Sequence, residues 1–233
     1  MSLTEQKRSA TQYEDREIIH EVIAGNIPVF EMLIRRYNPY LYKIGRSYGF
    51  NHHDTEDLMQ ETFISSYINL RQFAERSSFK TWLVKIMLGQ CYRKSQKLSF
   101  QNEHPTEFLS DNSPSMFLQN DQTEHMDQVA RREFNNVVEA SLQKLPEDYR
   151  ITFVLRELTG LSIAETSELM NATTANVKVR LNRAKIMLRK EIEKTYGPKD
   201  IFEFNLVYCD GMVAKVMKHI MQPGVAITQE DIP

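Results

Sequence analysis

The sequence predicts an all-α protein: two small helical domains joined by a flexible acidic linker, with a short C-terminal extension. Three observations carry this reading. Apolar residues recur at three- and four-residue steps through most of residues 15–97 and 129–195, the period of helices with one buried face. From Leu98 to Gln128 that period fails, and Asn, Gln, Ser, Pro and acids dominate. Roughly thirty residues without structure would be unusual inside one compact domain, so the stretch reads as a linker. Charge follows the same division. Residues 15–97 hold 12 basic and 9 acidic side chains, 98–130 hold 6 acidic and no basic ones, and 131–195 again hold 12 and 9. A net charge of −2 for all 233 residues argues against nucleic acid until it is divided in this way. Two mildly basic blocks around an acidic connector suit a binder that grips in two places.

Residues 1–14 are polar and read as a flexible tail. A helix is expected from Asp15 to Ala24, with Ile18, Ile19, Val22 and Ile23 inward and Gly25 as its stop. Asn26 is expected to cap the next helix, with Pro28 in its first turn. Phe30, Leu33, Ile34, Tyr37, Leu41 and Ile44 form that helix's buried face. Gly49 to His53 reads as a loop, after which Asp54 is expected to cap a third helix. Asp57, Gln60 and Glu61 lie on one side of it and Met59, Phe63, Tyr67 and Leu70 on the other. Acids crowded into a first turn are also what a helix dipole favours.

The segment Arg71–Ser77 is a loop leading into another helix, SFKTWLVKIMLGQCYRKSQK. Phe79, Trp82, Leu83 and Ile86 are its core candidates, and Lys80, Lys85, Arg93, Lys94 and Lys97 make it basic. Aromatics among cations suit single-stranded nucleic acid, because bases stack on rings while lysines track phosphates. A packed core residue is the equal alternative for Trp82.

Helices resume near Val129, with Phe134, Val137, Val138 and Leu142 expected inward. Pro146 starts another, which ends at Gly160. Ser162 with Glu165 forms a capping box, hydroxyl and carboxylate each satisfying an orphan backbone N–H. That short helix ends around Met170, and Thr173 can cap the next. Val177, Leu181, Ala184, Leu188 and Ile192 make one apolar face, which leaves Lys178, Val179, Asn182 and Arg183 on the opposite arc. Two short helices, a tight turn and a basic polar face are what a helix-turn-helix needs to enter a major groove. An ordinary amphipathic pair with a solvated face competes; the double capping and the turn length favour DNA. By donor geometry Arg183 or Lys178 suits guanine, Asn182 adenine and Val179 a thymine methyl. Thr174, Asn176 and Arg180 flank the arc, better placed for phosphates.

Cys91 and Cys209 are far apart and form no Cys-x-x-Cys pair, so neither a disulfide scaffold nor a metal site is expected, and no cofactor motif is present. No apolar run approaches the ~20 residues of a membrane span. The first residues lack the hydrophobic core of a secretory signal, and a cytoplasmic protein is expected. Asp57 with Glu61, or His52 with His53, share a helix face, but no third ligand or nucleophile has partner spacing, so no enzyme is expected.

Four stretches, DTEDLMQETF (Asp54–Phe63), SSFKTWLVKI (Ser77–Ile86), LPEDYRITFVLRE (Leu145–Glu157) and VKVRLNRAKIML (Val177–Leu188), stand in order around the acidic linker. With them the chain resembles the extracytoplasmic-function sigma factors, the small two-domain branch of the bacterial sigma family, over about Asp15 to Thr195. The resemblance implies sigma region 2 at 15–97, a linker at 98–128, sigma region 4 at 129–195 and an extension at 196–233. It implies binding to core RNA polymerase, at the clamp helices of the largest subunit and at the flap, with Asp57, Gln60 and Glu61 as clamp contacts. It also implies capture and melting of the promoter −10 element by the Arg71–Ser78 loop and the helix after it. There Phe73, Glu75, Arg76 and Ser77 would form a pocket for an unstacked base beside Trp82, with Lys80 and Lys85 on phosphates. The helix-turn-helix would read the −35 element. Leu83 stands where primary sigma factors carry the second Trp of a melting pair, and Val179 replaces a frequent small polar residue.

In the extension, Phe202, Phe204, Leu206, Val207 and Tyr208 read as a short extended segment. Val213, Val216, Met217 and Ile220 read as an amphipathic helix that packs on the second domain or docks a regulator such as an anti-sigma factor. The competing function is a free-standing helix-turn-helix regulator, which has no use for a clamp-binding helix at Asp54–Phe63.

Overall fold

A computed structural model describes residues 13–100, 116 and 125–196. The readings at Phe202–Tyr208, at Val213–Ile220 and at Cys209, with most of the linker, lie outside the described residues. Among those described there is no strand, and no helix is long and apolar enough to cross a membrane.

Four helices make the first domain: α1 (Asp15–Ile23), α2 (Phe30–Ser47), α3 (His52–Ile68) and α4 (Phe79–Phe100). α1 ends as expected, with Gly25 at a φ of 106°. Asn26 does not cap α2. Its amide donates back to Glu21 at 3.1 Å, and a 3-10 turn (Ile27–Val29) carrying Pro28 leads into α2. The missing cap costs little, because the 3-10 turn itself supplies the first carbonyls of α2. α3 starts three residues earlier than expected. Asn51 is its cap, accepting from the Asp54 N–H at 2.8 Å. Asp54 instead sits in the first turn, paired with Lys94 of α4 at 2.5 Å. A carboxylate is stabilised there by the dipole and by a cation together. Phe30, Leu33, Tyr37, Leu41 and Ile44 of α2 pack against Leu58 and Phe63 of α3 and against Phe79, Leu83, Val84 and Met87 of α4. Gly45 sets how closely α2 and α3 approach, since a Cβ there would lie 2.6 Å from Thr55 Cγ2. The N-terminal tail is tied in at Tyr13, which packs on this core while its carbonyl accepts from Arg36 at 2.7 Å.

The second domain comprises α5 (His125–Gln143), α6 (Glu147–Phe153) running into a π turn (Val154–Leu158), α7 (Ile163–Leu169) and α8 (Thr174–Ile192). Leu142 is fully buried, but Phe134 is 41% exposed and Glu139 and Ser141 are buried in its stead. The buried face of α5 is thus rotated from the apolar stripe, because Glu139 finds a cation across the domain boundary.

That boundary is not open. The described residues through Ile192 belong to one compact unit, and α2 packs on both α6 and the π turn. Ile151, Val154, Leu155 and Leu161 join the core of the first domain, while Tyr42 of α2 packs into a second cluster of Leu142, Leu145, Ala184 and Leu188. Polar contacts line the apolar seam. Arg46 Nε donates to Glu139 at 2.9 Å, both side chains being about 5% exposed. Gln143 donates to the Arg46 carbonyl at 2.7 Å, and Arg150 donates to the carbonyls of Ser47, Gln143 and Leu145.

Candidate nucleic-acid interface

α7 and α8 form the first of three surfaces, built by local chemistry. The Ser162 hydroxyl accepts from Glu165 N at 3.2 Å, while the Glu165 carboxylate accepts from Ser162 N at 2.8 Å, so the predicted box closes. Asn171, at a φ of 47°, makes the tight turn, a conformation that Asn tolerates better than most residues. Thr173 Oγ1 then accepts from Asn176 N at 3.2 Å. Val177, Ala184 and Leu188 are buried and hold α8 against α5, α6 and α7. Lys178, Val179, Asn182 and Arg183 are consequently exposed together, with Val179 at 49%. Thr174 and Asn176 are exposed at the helix start. Arg180 is half-buried and pairs with Asp148 at 2.8 Å. Tyr149, which periodicity does not single out, contacts this exposed arc: its hydroxyl accepts from Arg183 at 3.4 Å.

The second surface is the loop between α3 and α4 with the start of α4. Phe73, Phe79 and Trp82 form an aromatic triad with ring centroids 5.3–5.6 Å apart. Phe79 is buried, whereas Phe73 and Trp82 are half-buried, so Trp82 is at once a packed residue and a partly open ring. Glu75 holds a φ of 52°, pairs with Arg16 at 3.2 Å and lies 3.8 Å from the His20 ring, both on α1. Only the fold brings those partners in; no local spacing points to them. Arg76, Ser77 and Lys85 are exposed. Lys80 is not. Its ammonium donates to the Thr159 carbonyl of the second domain and lies 4.2 Å from the centroid of the Tyr40 ring. Burial lowers its pKa, with Glu165 working against that shift and Lys43 adding to it. Next to it, Thr81 Oγ1 donates to Glu165 at 2.5 Å. Glu165 is held below the ordinary carboxylate range, first by its hydrogen bond from Ser162 and then by Thr81.

The third surface is the outer side of α3. Gln60 and Glu61 are exposed, and Asp57 is half-exposed, 3.9 Å from His53. Ile64 and Ile68 continue that side at 60% and 71% exposure. Among the described residues no group of three or more His, Cys, Asp and Glu could hold a metal ion.

Comparison with known proteins matches the two helical segments to one family. The family models "Sigma-70 region 2" and "Sigma-70, region 4" match residues 33–100 and 136–188. The ECF RNA polymerase sigma factor SigW of Bacillus subtilis is 28% identical over 176 residues, 75% of this chain and 94% of that protein. The ECF RNA polymerase sigma-E factor of Haemophilus influenzae is 27% identical, covering 79% of this chain and 98% of that one. Two solved structures share the fold. CnrH in complex with the cytosolic domain of CnrY has a TM-score of 0.56 at 23% identity, over 77% of this chain and 97% of that one. The sigma factor RpoE of Bartonella quintana, bound to the anti-sigma factor NepR, has a TM-score of 0.56 at 20% identity, over 70% of this chain and 96% of that one.

Proposed function

We infer that this chain, which belongs to the sigma-70 family in its extracytoplasmic-function branch, is a promoter-specificity subunit of RNA polymerase. It binds core polymerase and directs initiation through −10 and −35 elements, supplying recognition while the polymerase supplies the chemistry. Its place of action is therefore where polymerase and chromosome are, the cytoplasm. One observation carries the reading: an α3 face bearing Gln60 and Glu61 and a doubly capped helix-turn-helix occur in one chain, within the segments matched as regions 2 and 4. A free-standing regulator accounts for the second of these and not the first.

Asp57, Gln60 and Glu61 are assigned to the polymerase clamp, since they project from a helix whose other side is core. Phe73, Glu75, Arg76 and Ser77 are assigned to a pocket for one unstacked −10 base, with Trp82 as its wall and Lys80 and Lys85 on phosphates. Flipping a base costs a few kcal/mol, which stacking and pocket contacts of ~1–3 kcal/mol per base largely offset. Lys178, Val179, Asn182 and Arg183 are assigned to base edges of the −35 duplex, and Thr174, Asn176 and Arg180 to its phosphates. Partners of the kind seen with the related structures, anti-sigma factors, belong to the same reading.

The test is reconstitution. Purified chain added to core polymerase is expected to direct transcription in vitro from a subset of a promoter library, sharing one −35 and one −10 sequence. Core polymerase that transcribes the same promoters with and without the chain overturns the assignment.

A further inference from the structure

The loop assigned to the −10 base runs from Phe73, packed on the core, to Ser78, whose hydroxyl caps α4 by accepting from the Thr81 N–H at 3.1 Å. Between them the backbone takes a costly shape. Glu75 holds a φ of 52°, a region that residues other than glycine enter rarely and keep only where surrounding contacts impose it. Those contacts come from α1. Arg16 Nε pairs with one Glu75 oxygen at 3.2 Å, and the His20 ring, one turn further along α1, lies 3.8 Å from the other. The start of the loop is tied to the same helix, since Arg71 donates to the Ile23 carbonyl at 3.4 Å. α1 is itself anchored on α2: Asp15 accepts from Arg36 and Tyr37, and the Tyr13 carbonyl accepts from Arg36 at 2.7 Å. A continuous chain of contacts thus leads from α2 through α1 to the loop, and α1 stands before residues 33–100, the segment matched as region 2.

We propose that Arg16 is a positioning residue for −10 base selection: it stays off the DNA and holds Glu75, and with it the loop from Phe73 to Ser77, in the shape that admits one base. The proposal rests on the promoter reading of that loop. The pair acts in two ways. Its guanidinium offsets a carboxylate that would otherwise stand bare beside a polyanionic strand. It also fixes where the remaining acceptor capacity of Glu75 points, and a carboxylate accepts from a base amino group but not from a base carbonyl. The two side chains are 70% and 42% exposed, and an ion pair that open adds little to the stability of a fold. Its effect falls on which loop shape is populated, and base preference follows that population.

The experiment uses holoenzyme reconstituted from core polymerase and full-length chain, with wild type, Arg16→Ala, Arg16→Lys, Glu75→Gln and the double variant Arg16→Ala with Glu75→Gln. Binding is measured to single-stranded −10 oligonucleotides carrying each of the four bases at every position in turn, over a range of salt. Arg16→Ala is expected to lower the preference at one position by roughly two- to fivefold, the size an exposed ion pair allows. Arg16→Lys is expected to recover part of it, and the double variant to discriminate no worse than Glu75→Gln alone, because Arg16 acts through Glu75. The salt slope is expected to hold. A phosphate contact by Arg16 would instead weaken all bases alike and lower that slope by about one. That outcome, an unchanged preference in Arg16→Ala, or additive losses in the double variant overturns the proposal. Amide hydrogen exchange of residues 74–77 in the free chain is read separately, and is expected to be roughly two- to fivefold faster in Arg16→Ala than in wild type. Equal exchange overturns the tie to α1. If wild-type holoenzyme shows no preference at any position, the −10 reading falls, while the exchange still decides whether α1 holds the loop.

Discussion

On α8, Lys178, Val179, Asn182 and Arg183 stand exposed on a helix fixed by devices close to it in the chain: a capping box, one left-handed Asn and a Thr cap. On α4, Lys80 and Thr81 are engaged by residues far along the chain, Thr159 and Glu165. One surface is assembled locally and left open; the other is assembled by tertiary contact and partly closed by it. On the proposed −35 assignment, affinity for duplex belongs to the second domain as it stands. On the proposed −10 assignment, affinity for a melted strand depends on the contacts that the second domain makes with α4. Glu165 joins the two, since one carboxylate closes the α7 cap and also takes the Thr81 hydroxyl.

The contrast breaks most readily on the side of α3, which is open like α8 but is assigned to a protein partner. Reversing the charge at Glu61 (Glu61→Arg) is expected to weaken core polymerase binding by two orders of magnitude or more, since like-charge juxtaposition costs several kcal/mol. Helicity should not change, because Glu61 is exposed. A titration against labelled core that gives the wild-type affinity removes α3 from the docking surface.

Next in size is the seam. Leu155 is fully buried and belongs to the first domain's core although it stands in the second domain. Leu155→Ala is expected to cost ~2–5 kcal/mol, the range for a buried Leu truncated in a packed core. That lowers the calorimetric melting temperature by roughly 5–15 °C for a unit of this size. If the two domains stood apart in solution, the loss would be confined to the second domain and split the transition in two.

How much of the molecule is legible in its sequence depends on the distance between the residues that cooperate. The α7–α8 pair can be read off the chain because each cap partner lies three residues from its cap. So can the α2 stripe, whose members Leu33, Tyr37, Leu41 and Ile44 are buried as the period requires. Asn51 escapes notice as the cap of α3 because Asp54 is also a good capping residue, and only Lys94 decides between them. Nothing local points to Glu139. A carboxylate on the buried face of α5 makes sense once Arg46 and the Met116 N–H face it. Phe134, apolar and in phase, is expected inside by periodicity, yet it is half-exposed because the helix turns Glu139 inward instead. The candidate −10 residues are legible as a set, but the pairing of Glu75 with Arg16 and the capture of Lys80 are not, since neither leaves a mark on local spacing.

On the open duplex-reading face the expected effects are smaller and specific to position. Arg183→Ala is expected to cost ~1–3 kcal/mol at the cognate −35 sequence and to relax preference at one base pair. Arg180→Ala is expected to weaken all sequences alike, and by less, because Arg180 is already engaged by Asp148. Binding measured on single-base variants at fixed salt separates the two. Uniform weakening by both substitutions would put the reading face on the wrong side of α8.

The smallest effect sits at the residue the two surfaces share. Glu165 has its pKa lowered in the folded protein, chiefly by Ser162 and then by Thr81. A carboxylate whose folded pKa is depressed contributes stability above its ordinary value, and that contribution is lost as pH falls through the depressed one. Glu165→Gln keeps a capping side chain but loses the charge, so it is expected to cost under ~1 kcal/mol at neutral pH, roughly 2 °C in melting temperature. Acidification below the ordinary carboxylate range should shrink the gap between wild type and variant, and wild type should do the falling. A gap that stays constant across that range would mean that the carboxylate's charge does no work in the α7 cap or on Thr81, and that the hydrogen-bond geometry alone joins the two domains there.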